Sequence, residues 1–342
     1  MTTVMELCSS AVRGVIVASP GKKLVVADLS NIEGRVLAWL AGEAWKLQAF
    51  RDYDTFTGEL DAKGQPLRLG HDLYKLAYAK AFNIRPEDVE DHQRQIGKVK
   101  ELMLGYQGGV GAYITGAASY SIDLEAMAEG AYDDIPKRII AEAENFLEWQ
   151  LKQGRGQYGL SDRAFIVCDS FKRLWRESNS NITSWWKELE ETCARAINRP
   201  GETFTSRKLK IRRDGAWLRI GLPSGRCLCY PSPRVGDDGK LSYMGNNQYT
   251  RKWERIGTYG GKLAENITQG VARDVLAWAM PRIEKAGYEI LLTVHDEDIT
   301  ETPDTDDYSC GALADLMSQG EEWCRDLPLS AAGFESYRYK KG

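Results

Sequence analysis

Two short apolar strands, each running into acidic residues, stand near opposite ends of this chain. They constrain its fold more than any other feature. LVVA at 24–27 ends in Asp28, and YEILLTV at 288–294 is followed by His295, Asp296 and Glu297. With DITET at 298–302, the second strand reads as an antiparallel hairpin. A β-branched run at 13–19, split from 23–27 by Pro20-Gly21, reads as a further strand. Most of what lies between is helical in pattern: 31–40, 72–82, 92–107, about 122–130, 134–152 and 178–197, and a long helix at 260–285 opened by Gly260-Gly261. Residues 51–70 read as an irregular excursion, 216–230 as a hairpin about Pro223-Ser224-Gly225, and 306–325 as a C-terminal helix. Strands at both ends with helices between predict an α+β fold, an antiparallel sheet interrupted by a helical lobe.

The 342 residues suffice for more than one ordinary domain and a large core. A net charge of -4 argues mildly against nucleic acid, but binding needs a local basic face and not a basic average. Arg94/Lys98/Lys100, Arg207 to Arg213 and Arg251/Lys252/Arg255 are candidate faces. None of the seven cysteines forms a C-x-x-C pair, and three histidines make a zinc set an unpromising reading. The N-terminal segment MTTVMELCSSAVRG lacks the pattern of a signal peptide, and no apolar run is long enough to span a bilayer. The expectation is a cytoplasmic protein without a membrane partner.

Three constellations carry chemistry. Asp28 closes an apolar strand, where a carboxylate is accessible to a cation; with Ser30 it also suits a helix N-cap. His295-Asp296-Glu297 forms a hairpin tip where Asn-Gly would turn more easily and adjacent acids repel; a solvated turn is the plainer reading. Arg94, Lys98, Leu102 and Tyr106 recur every four residues and so share one helix face. Two cations, an apolar residue and a tyrosine, in that order, suit a triphosphate followed by a base; a solvated cationic face with Glu90 or Glu101 as partners is the alternative. If Asp28 and Asp296 met at about 4 Å, their repulsion would be about 4 kcal/mol at an effective dielectric near 20. Bridging cations would remove that penalty, and two hard cations on carboxylates can clamp a phosphoryl displacement.

In this order the segments DLSNIEGR (28–35), RQIGKVKELMLGYQGG (94–109), SGRCLCYPSP (224–233), YGGKLAENITQGVARD (259–274) and VHDE (294–297) resemble family A DNA polymerases of the DNA polymerase I type, phage members above all. The resemblance covers about residues 11 to 300. It implies a polymerase palm at 1–45 and 213–342, with fingers at 46–212. It also implies template-directed transfer of deoxynucleotidyl groups to a primer 3′ end by a two-metal mechanism, with dNTPs and primer-template DNA as partners. Carried over residue by residue, Asp28 and Asp296 would bind two Mg2+ ions, with Glu297 supporting the metal site. Glu33 would be the steric gate against a 2′-hydroxyl. Arg94 would hold the γ-phosphate side, and Lys98 would neutralise the α-phosphate region and act as a catalytic residue. Leu102 and Tyr106 complete the nucleotide site. His295, Gln269, Arg226 and Lys262 would contact primer and template.

The chain departs from the family in three places. Leu102 stands where the family has Phe or Tyr, and Gln107 replaces the glycine that follows the tyrosine. Only 27 residues precede Asp28, so the thumb and the 3′–5′ exonuclease are expected on a separate chain, making this the C-terminal part of a split or truncated polymerase. The alternative is a non-catalytic DNA-binding replication subunit that keeps the polymerase fold.

Overall fold

The computed structural model describes residue 8 and residues 11–60, 64 and 66–339. Most of the N-terminal segment read above lies outside them. The chain divides into two compact units, one formed by 1–36 with 269–342 and the other by 37–268. The expected segment 213–342 is thus shared between them, its strands at 217–258 belonging to the larger unit.

The smaller unit is built on a four-stranded antiparallel sheet that brings together both ends of the chain. β1 (Lys22–Leu29) lies centrally between β12 (Glu297–Pro303) and β13 (Ala331–Ser336), and β11 (Glu289–Val294) pairs with the far side of β12. β1 is buried on both faces, which is why its sequence reads as a continuous apolar run. One face carries Leu24, Val26, Ile299 and Tyr339 as a packed cluster. β13 approaches β1 so closely at Gly333 that a Cβ there would lie 2.1 Å from the Val26 carbonyl oxygen.

The larger unit is mainly helical: α2 (Ala44–Asp54), α3 (Leu73–Phe82), α4 (Asp91–Leu104), α5 (Val110–Ser119), α6 (Leu124–Ala131), α7 (Lys137–Lys152), α8 (Asp162–Ser178) and α9 (Ser180–Asn198). β4 (Thr203–Ser206), β5 (Leu209–Asp214), β6 (Trp217–Gly221) and β7 (Cys227–Pro231) form an antiparallel sheet in sequence order, and α9 packs against it. β8 (Arg234–Val235), β9 (Leu241–Asn246) and β10 (Trp253–Thr258) form a second. Two helices run across the division, α1 (Ile32–Ala41) and α10 (Gly260–Lys285). No described helix is long and apolar enough to cross a membrane.

Several local expectations are corrected. Residues 13–19 do not form a ladder strand: Val17 makes an isolated bridge to Arg338, and Val12 and Val15 are exposed. β-branched residues make a strand only where a partner strand continues beside them. Within 51–70, α2 extends to Asp54 and a small hairpin follows, β2 (Phe56–Leu60) with β3 (Pro66–Arg68). The C-terminal helix is shorter than expected, α11 (Cys310–Ser318), capped by the Ser309 side chain on the Ala312 amide.

Candidate active site

The carboxylates come first. β1 and β12 pair in a register that sets Asp28 directly opposite Glu297, and the Leu29 amide donates to the Asp296 carbonyl at 3.1 Å. Two aspartates 268 positions apart in sequence are therefore neighbours at one end of the sheet, both half-buried. His295 forms the exposed tip of the β11–β12 turn with φ of 58°, the left-handed backbone a tight reversal demands. Glu297 is turned inward: it is 1 % exposed and accepts a hydrogen bond from the Tyr339 hydroxyl at 2.5 Å. Asp298, next along the strand, points to the opposite face, as strand alternation requires. It is fully buried, with no hydrogen-bond partner for either oxygen among the described residues, and burial pushes its carboxyl up to about 6.

The half-exposed donors at this sheet end are carboxylates, the oxygen ligands a hard cation takes. Among the described residues no group of three or more His, Cys, Asp or Glu side chains is arranged to hold a metal. Two half-exposed carboxylates are what a hard, well-hydrated cation needs when it keeps several waters and takes its remaining oxygens from phosphates.

The cations lie on α4. Arg94 and Lys98 are partly exposed and Leu102 is exposed on one side of the helix, while Ile96, Val99, Lys100 and Leu104 are buried. Gly97 permits this packing: a Cβ there would meet the Tyr74 carbonyl oxygen at 2.1 Å, so α4 rests directly on the backbone of α3. Glu101 takes no part in the cationic stripe. It faces inward, paired with Lys46 at 2.5 Å and accepting from the Trp175 indole at 2.8 Å. Glu90 belongs to a capping box with Gln93. Arg94 instead donates to Asp72 at 2.8 Å, and Lys98 lies over the Tyr120 ring at 4.5 Å. Sequence reasoning misses both. Asp72 is detectable as the N-cap of α3, where it accepts from the Tyr74 and Lys75 amides, but nothing in the sequence links it to Arg94.

The expected helix 92–107 ends early. α4 stops at Leu104, and Gln107 adopts φ of 66°, so Tyr106 sits half-buried in a turn and not on the helical stripe. A left-handed residue cannot continue a right-handed helix. Of the other expected contacts, Glu33 is exposed in the first turn of α1, Gln269 is exposed on α10, Arg226 is exposed after the β6–β7 turn, and Lys262 pairs with Glu265 at 3.0 Å.

Comparison with known proteins settles the likeness. The chain is 32% identical over 341 residues to a DNA polymerase of Bacillus phage SP02, a match covering 97% of this chain and 43% of that one. In sequence and fold it is DNA polymerase-like. A 102-residue stretch is 28% identical to DNA polymerase I of Chloroflexus aurantiacus, covering 30% of this chain and 9% of that one. In fold, 98% of the chain superposes on 43% of the POL domain of Pol1 from M. smegmatis, solved in complex with DNA primer-template and dNTP, with a TM-score of 0.55 and 18% identity. The chain thus spans less than half the length of the phage polymerase it matches. No protein-family profile matches it. The polymerase likeness and the α+β architecture both agree with the sequence reading.

Proposed function

We propose that this chain transfers deoxynucleotidyl groups to a primer 3′ end, directed by a template, with Mg2+ at Asp28 and Asp296. The observation that carries this reading is the β1–β12 register, which brings those two residues to one end of one sheet. Packing supports that register: Leu24, Val26 and Ile299 share one cluster, and a slip of one residue would exchange them for the side chains of the other face. The ions, when bound, supply charge neutralisation at the oxygens of the displacement. The chain's own residues do the rest. Arg94 presents a forked donor to phosphate oxygens, Lys98 places a point charge beside them, and Tyr106 closes the base end. Glu33, exposed at the start of α1, crowds the sugar and selects deoxyribose. His295, Gln269, Arg226 and Lys262 contact primer and template, and Glu297, held by Tyr339, stiffens the strand end. The palm and fingers assignments of 1–45, 46–212 and 213–342 belong to this proposal. So does a partner carrying thumb and exonuclease.

The test is primer extension with Mg2+ and dNTPs, alone and with the phage relative's remaining region added in trans. Extension that is lost in Asp296→Asn supports the reading. Equal extension by that variant removes the metal assignment. DNA binding without extension under either condition favours a non-catalytic replication subunit. Processive extension by the chain alone at physiological salt removes the need for a partner.

A further inference from the structure

The turn between α4 and α5 carries an unexplained strain. Gln107 adopts left-handed backbone with φ of 66°, a conformation that glycine takes freely and other residues take at a cost. Such a residue persists where its side chain has a task. The Gln107 side-chain oxygen accepts the Gly261 amide proton at 2.9 Å. Gly261 lies in the first turn of α10, where the leading amides have no partner within the helix. The neighbouring Gly260 amide is met by the Glu190 carboxylate at 3.0 Å.

The contact is close as well as polar. A Cβ on Gly261 would lie 2.4 Å from the Tyr106 carbonyl oxygen and 2.4 Å from the Gln107 Cβ. A Cβ on Gly260 would lie 1.9 Å from the Trp186 carbonyl oxygen. The two glycines therefore let the turn and α9 lie directly on the start of α10. Arg176, on α8, donates to the Gly108 carbonyl at 3.2 Å. The turn that holds Tyr106 is tied to α8 through Arg176 and to α10 through the Gln107 side chain.

We propose that Gln107 is a positioning residue for Tyr106. By locking the turn to the first turn of α10, it fixes how the tyrosine meets an incoming deoxynucleoside triphosphate and thereby sharpens discrimination against mismatched ones. The proposal rests on the nucleotide reading above, and it assigns to this glutamine the work that loop stiffness alone would not do.

The test compares the full chain with Gln107→Met, Gln107→Glu and Gln107→Gly in primer extension against matched and mismatched dNTPs. Methionine keeps the bulk and loses the acceptor. It should raise KM for the matched dNTP and erode discrimination by about three- to tenfold, the factor one hydrogen bond carries, with kcat little changed. Glutamate keeps an acceptor beside a helix N-terminus, where negative charge is favoured, and should restore wild-type values. Glycine relieves the backbone strain, so it should fold well and still behave like methionine; its Gly261 amide should exchange with solvent faster than in wild type. Wild-type KM and discrimination in the methionine or glycine variant overturns the proposal. So does a glutamate variant as impaired as methionine. A wild-type chain that extends no primer under any condition overturns the polymerase reading itself, which is a different result.

Discussion

The carboxylates at the end of the β1–β12 pair and the cations along α4 are held by different means. Asp28, Asp296 and Glu297 are placed by backbone pairing, whose register is fixed by the buried apolar strand. Arg94 and Lys98 are placed at the ends of long side chains, and each already has a partner, the Asp72 carboxylate and the Tyr120 ring. Strand pairing gives a position that cannot drift. Long side chains have rotamer freedom, so the same helix can offer these charges in more than one position.

The largest effect that could break this contrast is at the fixed end. Asp28→Asn or Asp296→Asn should lower primer extension by roughly 10²–10³-fold, the scale for removing one transition-state charge contact. Thermal unfolding should stay unchanged or shift upward as repulsion is relieved. A large fall in melting temperature would make the pair a structural device instead.

The second test uses the inner face of α4. Lys100 is fully buried between Phe82 and Phe171, its ammonium has no hydrogen-bond partner among the described residues, and burial pulls it down to about 7. The unfolded lysine keeps its proton to about 10.5. Between those values unfolding takes up a proton, so stability rises with pH from about 7 to about 10.5. Every tenfold loss of proton affinity on folding is worth about 1.4 kcal/mol, so Lys100→Met should stabilise the protein by a few kcal/mol below pH 7, with the gain shrinking toward pH 10.5. Chemical denaturation of both proteins across pH 6 to 10, about the range of that titration, measures it. A gain independent of pH would show that the lysine finds a partner.

Smaller effects belong to the adaptable end. Lys98→Met and Arg94→Met should each reduce kcat/KM for dNTP by roughly 10–100-fold, as loss of a charge-assisted hydrogen bond predicts. No change in either would remove the nucleotide role of the stripe. Smallest is Asp72→Asn. Asparagine still caps α3 but releases Arg94, so KM for dNTP should fall by about two- to threefold, within the range of an exposed ion pair. A rise in KM would mean that Asp72 orients Arg94 rather than competing for it.

What the sequence discloses follows the same division. The hairpin at 288–302 and the helix 260–285 are legible because apolar pattern and punctuation agree there. Asp28 and Asp296 are legible as strand-end acids, and the pairing of their strands sets both at one end of the sheet. β13 is not legible: AAGFES is short, and its Gly333 serves a close backbone approach that no periodicity records. α8 is not among the expected helices either, although Asp162, Asp169, Arg173 and Arg176 stand at helical spacing: nearly every position from Ala164 to Trp175 is buried, Asp169 and Lys172 included, so the charges do not mark a solvated face. The four-residue spacing puts Tyr106 on a helix that ends two residues before it, because the left-handed Gln107 breaks a pattern that otherwise continues. The partners of Arg94 and Lys98 depend on contacts between segments distant in sequence.

Gly97 has a bearing on motion. With the α3 backbone seated against α4 at that point, neither helix can slide past the other without losing contact along its length. Any swing of the cationic helix toward a bound triphosphate must carry α3 along as a rigid passenger, Asp72 included. The Arg94–Asp72 pair would then survive the swing itself.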